Sequence, residues 1–221
     1  MFLAITVLCG LVFSPSPTQA TLITIGIEAV VDDVVETGDY LNGRIKVGDL
    51  ITGTYTYDTD TPDSSTLSGI GRYAHYAYPC GISLSVGGLN FMTDFSPGFP
   101  EYFTVWITNN SSGVDGISVR SYHNLPLRDG MSVGTIEWIL QDPSETAILS
   151  ADLPTTAPIL SDWETNFLQF GAGSGGSRDG GEPPIGFGVA AHVTSAVVIP
   201  EPGTILLLGL GGVAIVRKAK K

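Results

Sequence analysis

Apolar and polar residues alternate with a period of two along much of the chain between residues 50 and 193. The alternation is clearest in residues 50–58, 81–88, 103–108, 136–141 and 187–193. In residues 50–58 (LITGTYTYD), for example, Ile51, Tyr55 and Tyr57 alternate with threonines. Such a period, carried by β-branched and aromatic residues between clusters of Gly, Pro, Asp and Asn, is typical of half-buried antiparallel strands.

Three further stretches, TLITIGIEAVV, GISVRSY and NFLQFG, have the same character, so about eight or nine strands are expected in one domain. No segment in this middle part has a convincing helical period. Many short antiparallel strands can bury their apolar faces as two packed sheets. The pattern therefore predicts an all-β fold over residues 21–197, an antiparallel β-sandwich of jelly-roll or immunoglobulin-like style.

The N-terminal segment is almost entirely apolar and does not share this alternation. Residues 1–13 read MFLAITVLCGLVF, and small residues follow at Thr18 and Ala20. A short apolar core followed by a small-residue site is typical of a secretory signal peptide. Residues 1–20 are therefore predicted to be a signal peptide, and the protein is predicted to be exported.

A second apolar run occupies residues 205–216 and is followed at once by four cations, Arg217, Lys218, Lys220 and Lys221. A helix over residues 202–219 would be about 27 Å long, and the basic side chains could reach outward to complete the span. Cations beyond the helix favour a cytoplasmic C-terminus. A single transmembrane helix is predicted, because a strand or a buried helix would leave the clustered cations unexplained.

The C-terminal segment as a whole has a specific order of parts. The triplet Pro-Glu-Pro at residues 200–202 precedes a threonine, the Leu-rich and Gly-containing run, and the basic tail. Residues 198–221 closely resemble the PEP-CTERM sorting signal. The residues that this resemblance identifies as the signal are Pro200, Glu201, Pro202, Arg217 and Lys218.

The resemblance also implies a processing route. In that family a membrane enzyme, the exosortase, recognises the tail, and the systems accompany exopolysaccharide production. The protein is then expected to cross the inner membrane, to be anchored transiently and to reach the cell surface or the extracellular space. Exosortase, the inner membrane and extracellular polysaccharide are the implied partners.

Parts of the middle domain are similar to a loosely defined group of exported β-domains that often precede PEP-CTERM tails. The similar stretches are LITGTYTYDTDTPDSS, GISLSVGGLNF and ILQDPSETAILSADLP. Their shared features are a strand, a Val-Gly-Gly turn and an acidic turn, so the resemblance implies a structural likeness and no activity.

The middle domain and the tail carry net charges of opposite sign. Four of the ten Lys and Arg residues lie in the tail, which leaves 21 acidic and six basic residues in residues 21–197, a net charge of −15. Such a surface repels phosphate backbones, which excludes nucleic acid as a partner. Calcium and basic partners remain compatible with it, although acidic residues also simply keep an exported protein soluble.

Cysteine use is sparse. Cys9 belongs to the predicted signal peptide, so Cys80 is the one cysteine of the mature chain. Two alternatives are open for Cys80, which is either a small buried residue or a thiol that pairs between chains.

The densest acidic cluster is the segment YDTDTPD, which contains Asp58, Asp60 and Asp63. Carboxylate oxygens at this spacing on a loop could hold Ca²⁺. The alternative is an ordinary turn at the end of a strand, where Asp and Pro are common. Calcium is the one cofactor that the sequence suggests.

The segment RYAHYAY offers the best aromatic surface. Tyr73, Tyr76 and Tyr78, together with Trp106, could stack on sugar rings, and the alternative is that these rings form cross-strand pairs or core.

The sequence as a whole is compatible with three functions: a non-enzymatic structural or interaction protein, which we favour, a carbohydrate-binding module, and an exported hydrolase. The last would need a Ser–His–Asp or paired-carboxylate arrangement in one pocket.

Overall fold

The computed structural model describes residues 22–96, 102–127, 132–172 and 186–200. All five alternating segments form strands, and the all-β prediction is confirmed. The strands are β1 (Leu22–Thr37), β2 (Leu50–Asp58), β3 (Ile70–His75), β4 (Gly81–Val86), β5 (Leu89–Met92), β6 (Phe103–Thr108), β7 (Asp115–Ser121), β8 (Ile136–Asp142), β9 (Thr165–Ala172) and β10 (Gly186–Ile199). Within the described residues the helical structure is a single 3-10 turn, Leu160–Asp162.

The strands form one antiparallel sheet rather than the predicted pair of sheets. Their order is β3-β6-β7-β8-β9-β10-β1-β2-β4-β5, with hydrogen bonds between all neighbours among the described residues. The sheet curls so that its two halves face each other. Tyr55 on β2 packs edge-on against Trp138 on β8, with ring centroids 5.7 Å apart, and Phe91 on β5 lies 4.6 Å from Phe170 on β9. A curled sheet and a sandwich bury the same alternating face, so the period of two could not distinguish them.

The two edge strands, β3 and β5, are the ones that the alternation did not predict. They are six and four residues long. Edge strands are commonly kept short because their unpaired backbone groups invite pairing with other chains. At four residues, β5 carries too few alternating positions for its period to be recognised from the sequence.

The first and last strands of the described chain are neighbours. Leu22, where β1 begins, is opposite Asp58, where β2 ends, and Thr24 on β1 is opposite Ile199, where β10 ends. The described chain therefore enters and leaves the sheet at one end, which we call the terminal end. This arrangement positions the candidate site.

Candidate functional site

A groove of about 750 Å³ opens at the terminal end of the sheet. Leu22 lines it together with residues of two loop segments, 58–64 and 74–80. The first segment follows β2, and the second runs from the end of β3 to the start of β4. The groove thus unites the acidic cluster and part of the aromatic segment, which the sequence had offered as two separate candidates.

The rim of the groove carries aromatic rings and oxygen acceptors. Tyr76 and Tyr78 are 56% and 84% exposed. Asp60, Thr61 and Ser64 contribute a carboxylate and two hydroxyls to the same lining. Exposed rings beside convergent polar groups form a surface that can hold a ligand with both apolar and hydroxyl-bearing faces.

Tyr73 and Trp106 do not line the groove, and their placement agrees with the alternative in which these rings form core or cross-strand pairs. Tyr73 is a core residue, 5% exposed, and its hydroxyl donates to the Ala151 carbonyl at 2.9 Å. Trp106 on β6 lies opposite Arg72 on β3, and the Arg72 guanidinium sits 5.2 Å from the centre of its ring. Successive residues of β3 point to opposite faces of the sheet, so Tyr73 turns inward where Arg72 turns outward to meet Trp106.

The wall of the groove contains His75 and Cys80, both buried. The His75 Nε2 atom accepts a hydrogen bond from the Asp58 backbone N–H at 3.2 Å, and its ring packs against Phe103. Burial lowers the pKa of His75. Burial, and then the nearby Asp58 carboxylate, raise the pKa of Cys80 to about 11.

These two side chains are therefore uncharged at neutral pH. A neutral thiol is a poor nucleophile, because the thiolate is the reactive form. The imidazole lone pair at Nε2 is already used by a backbone N–H, so it is not free to take a proton from a substrate. Cys80 is a free, buried cysteine, in keeping with the first of the two alternatives for it. In this geometry neither Cys80 nor His75 offers the groove a thiolate or a free imidazole nitrogen at Nε2.

The three aspartates of the acidic cluster act as turn residues. Asp58 Oδ1 accepts from the Asp60 N–H at 3.0 Å. Asp63 Oδ1 accepts from the N–H groups of Ser65 and Arg72, each at 2.8 Å. No group of three or more His, Cys, Asp or Glu side chains in the described parts of the chain is placed to hold a metal ion. The geometry corresponds to the strand-end turn that was the alternative to calcium.

Sequence reasoning missed the groove because its two loops, although close along the chain, adjoin β2 and β3, which are not neighbours in the sheet. Their junction is the contact between the His75 ring and the Asp58 backbone. One signal was available: His75 follows Gly71 and Tyr73 at alternate positions, which places it on the inner face of β3. That spacing predicts a buried histidine, but it does not identify the loop that the histidine meets.

The predicted transmembrane helix and the signal peptide of residues 1–20 lie outside the described residues, as do Glu201, Pro202, Arg217 and Lys218. Among the residues that the structure does describe, no helix is long and apolar enough to span a bilayer. Pro200 is described, and it is exposed directly after β10.

Comparison with known proteins bears on the C-terminal segment. The family model described as the PEP-CTERM protein-sorting motif matches residues 198–221. No curated protein matches the chain, and no solved structure matches it. The match confirms the resemblance that the order of the C-terminal residues indicated, and its first two residues are the last two of β10. The chain therefore carries a PEP-CTERM protein-sorting motif that begins within its last described strand.

Proposed function

We propose that this protein is exported, sorted by exosortase to the cell surface or extracellular matrix, and has a non-enzymatic structural or interaction role connected with exopolysaccharide. The single observation that carries the proposal is the sorting motif at residues 198–221. The motif implies export and a membrane-anchored stage before the protein reaches the surface. The apolar run and the four cations of the tail support that stage as a transmembrane helix.

The attachment of the tail also supports a sorting role. β10 pairs with β1 up to Ile199, and Pro200 follows at once. Each residue before a proline is held in an extended conformation, so Ile199 and Glu201 favour an extended entry into the tail. A membrane enzyme would then meet an extended segment at the terminal end of the sheet.

A carbohydrate-binding role is the second candidate, and the groove favours it. Tyr76 and Tyr78 supply exposed rings, and the carboxylate and hydroxyl groups of the rim can accept hydrogen bonds from sugar hydroxyls. The uncharged His75 and Cys80 in the wall favour binding over hydrolysis. This candidate refines the first, because a surface protein that binds polysaccharide would serve the matrix into which it is sorted.

Localisation tests the sorting proposal directly. The full chain is compared with a variant that lacks residues 201–221, in cells that contain the sorting enzyme. The full chain is expected at the surface or in the medium in processed form, whereas the variant is expected in the periplasm as a soluble protein. The proposal fails if both proteins are found in the same fraction.

Polysaccharide binding is tested separately with Tyr76→Ala and Tyr78→Ala in the full chain. Each change is expected to weaken binding to the host's exopolysaccharide by about tenfold or more, as aromatic truncation does at a binding hot spot. Leu149→Ala is the control, because Leu149 is 95% exposed and lies outside the groove. Unchanged binding by both tyrosine variants would rule out the groove as the glycan site.

A further inference from the structure

The described lining of the groove is acidic. It contains the carboxylates of Asp58 and Asp60 and no lysine or arginine, and His75 and Cys80 in its wall are uncharged at neutral pH. No salt bridge among the described residues joins either carboxylate to a cation. The groove therefore presents negative charge that a ligand can neutralise.

Exposed aromatic rings adjoin this charge. Tyr76 and Tyr78, which are 56% and 84% exposed, line the same groove as the two carboxylates. The face of an aromatic ring is electron-rich and attracts a cation, and it also packs against the apolar face of a sugar ring. Rings and carboxylates together thus offer two attractions to a positively charged sugar, whereas an anionic sugar meets repulsion.

The charge of the whole domain acts in the same sense but less selectively. Residues 21–197 carry a net charge of −15, which speeds the approach of cationic polymers and slows that of anionic ones. At an ionic strength of about 0.1 M such forces are screened beyond about 10 Å. Discrimination between bound ligands therefore depends on the groups inside the groove, among which Asp60 is an exposed carboxylate.

From these observations we infer that the groove binds a polysaccharide of amino sugars whose amino groups are free and positively charged. The inference rests on the glycan-binding role proposed above and specifies the class of glycan. The Asp60 carboxylate pairs with an ammonium group, and the ring of Tyr78 stacks on a sugar ring. The hydroxyls of Thr61 and Ser64, in the same lining, bond to sugar hydroxyls.

A lysine-rich peptide has the same charge and is the main alternative ligand. Its ammonium groups lie at the ends of flexible side chains, which lose rotamer freedom on binding. A sugar ring holds its amino group, its hydroxyls and its apolar face in one rigid unit, so it can engage carboxylate, hydroxyl and aromatic groups together. The mixed lining of the groove favours the amino sugar for this reason.

Binding of three oligosaccharides to the full chain tests the inference. The probes are hexamers of glucosamine, of N-acetylglucosamine and of galacturonic acid, and calorimetric titration at about pH 6 keeps the free amino groups protonated. The glucosamine hexamer is expected to bind about tenfold more tightly than the N-acetylated one, because charge-assisted and cation–π contacts are added. The galacturonic acid hexamer is expected not to bind. Salt at about 1 M, which screens beyond about 3 Å, is expected to remove most of the preference.

Asp60→Asn removes a charge from the groove with little change in shape. The turn of the loop uses the backbone N–H of Asp60, which donates to the Asp58 carboxylate, so the turn is retained. Binding of the glucosamine hexamer is expected to weaken by about three- to fivefold, as for the loss of an exposed ion pair, and binding of the N-acetylated hexamer to stay unchanged.

The matched control is Asp33→Asn. Asp33 is an exposed carboxylate eleven residues along β1 from Leu22, which is about 35 Å along the strand. This variant loses the same charge from the domain but none from the groove. It is expected to leave the affinity for both hexamers unchanged.

The outcomes separate this inference from the proposed function. Equal affinities for the glucosamine and N-acetylated hexamers, or equal losses in Asp60→Asn and Asp33→Asn, overturn the inference even where the host's exopolysaccharide binds through the tyrosines. Hexalysine that binds as tightly as the glucosamine hexamer also overturns it, because the groove then recognises charge and not a sugar. If the glucosamine hexamer binds through Asp60 and the host's exopolysaccharide does not bind, the ligand class stands and the link to the host's matrix is what fails.

Discussion

Single carboxylates organise the loop that follows β8. Asp115 is fully buried and accepts from the N–H groups of Asn110 and Ile148. Asp142 is 5% exposed and accepts from the N–H groups of Ser144, Thr146 and Ala147 at 2.9, 2.9 and 3.1 Å. The Ser144 hydroxyl and the backbone N–H groups of Thr146 and Ser144 hold the pKa of Asp142 down to about 2, because hydrogen bonds to the ionised form favour it.

This depressed pKa predicts how stability depends on pH. The folded pKa of Asp142 is about 2 and the ordinary value is 3.8, so the unfolded state binds the proton first as pH falls. The contribution of Asp142 to the free energy of unfolding is complete above that ordinary value. It is lost as pH falls toward 2. Asp142→Asn is therefore expected to lower the melting temperature by a few degrees at pH 7, with a penalty that shrinks as the pH approaches 2.

Thermal unfolding followed by circular dichroism between pH 2 and pH 7 measures this change. Glu145→Gln is the control, because Glu145 is an exposed carboxylate in the same turn. Glu145→Gln is expected to leave the melting temperature unchanged both at pH 7 and at pH 2. If Asp142→Asn lowers the melting temperature equally at pH 2 and pH 7, the pKa of Asp142 is not lowered in the folded protein.

At the scale of elements, β2 depends on a glycine at an inward position. Gly53 stands between Ile51 and Tyr55 on the inner face of the strand. A Cβ atom there would lie 2.3 Å from the Ser83 carbonyl oxygen and 2.6 Å from Cδ2 of Leu84. Leu84 is opposite Gly53 on β4 and already fills the space that a side chain at 53 would take. The close approach of these two strands therefore requires glycine.

Gly53→Ala is expected to destabilise the protein by about 1–3 kcal/mol, the usual cost of overpacking a well-packed core. Gly188→Ala on β10 is the matched control, since a Cβ at that position meets nothing within 4 Å. The control is expected to be neutral or to stabilise the protein by up to about 1 kcal/mol, because alanine restricts the unfolded chain. Urea denaturation at neutral pH measures both. Equal stabilities of the two variants would argue against this packing.

At the scale of the whole molecule, a curled sheet brings both described chain ends to one side. The candidate groove and the sorting motif then share that side. The position of the ends follows from the pairing of β1 with β10, which closes the long separation between the first and last strands.

The sorting motif predicts a specific failure when it is altered. Replacement of Pro200, Glu201 and Pro202 by alanines is expected to leave the protein in the membrane but unprocessed, because the extended entry and the recognised residues are lost together. Gel mobility and fractionation report the outcome. The control replaces Arg217, Lys218, Lys220 and Lys221 by glutamines, which is expected to loosen orientation while the recognised residues stay intact. Normal processing of the triple-alanine variant would mean that the tail is a plain anchor.

Local sequence patterns were enough to predict the fold class, most of the strands and the sorting motif. The period of two predicted the all-β class and eight of the ten strands that the structure describes, because successive side chains of a strand point to opposite faces of the sheet. The sorting motif could be identified for a similar reason: its parts are contiguous, so no folding is needed to bring them together. The excess of acidic residues predicts, whatever the fold, that nucleic acid is not a partner.

Only the tertiary structure decided which strands are neighbours and which loops contact each other at the strand ends. Periodicity gives a face but not a partner, so one curled sheet and two packed sheets were equally compatible with it. The same limit applies to the aromatic segment, where the structure buries Tyr73 and exposes Tyr76 and Tyr78. The groove exists because His75 meets the backbone of Asp58, a contact between strands that are not paired with each other. Such contacts depend on the curl of the sheet, which no single segment of the sequence encodes.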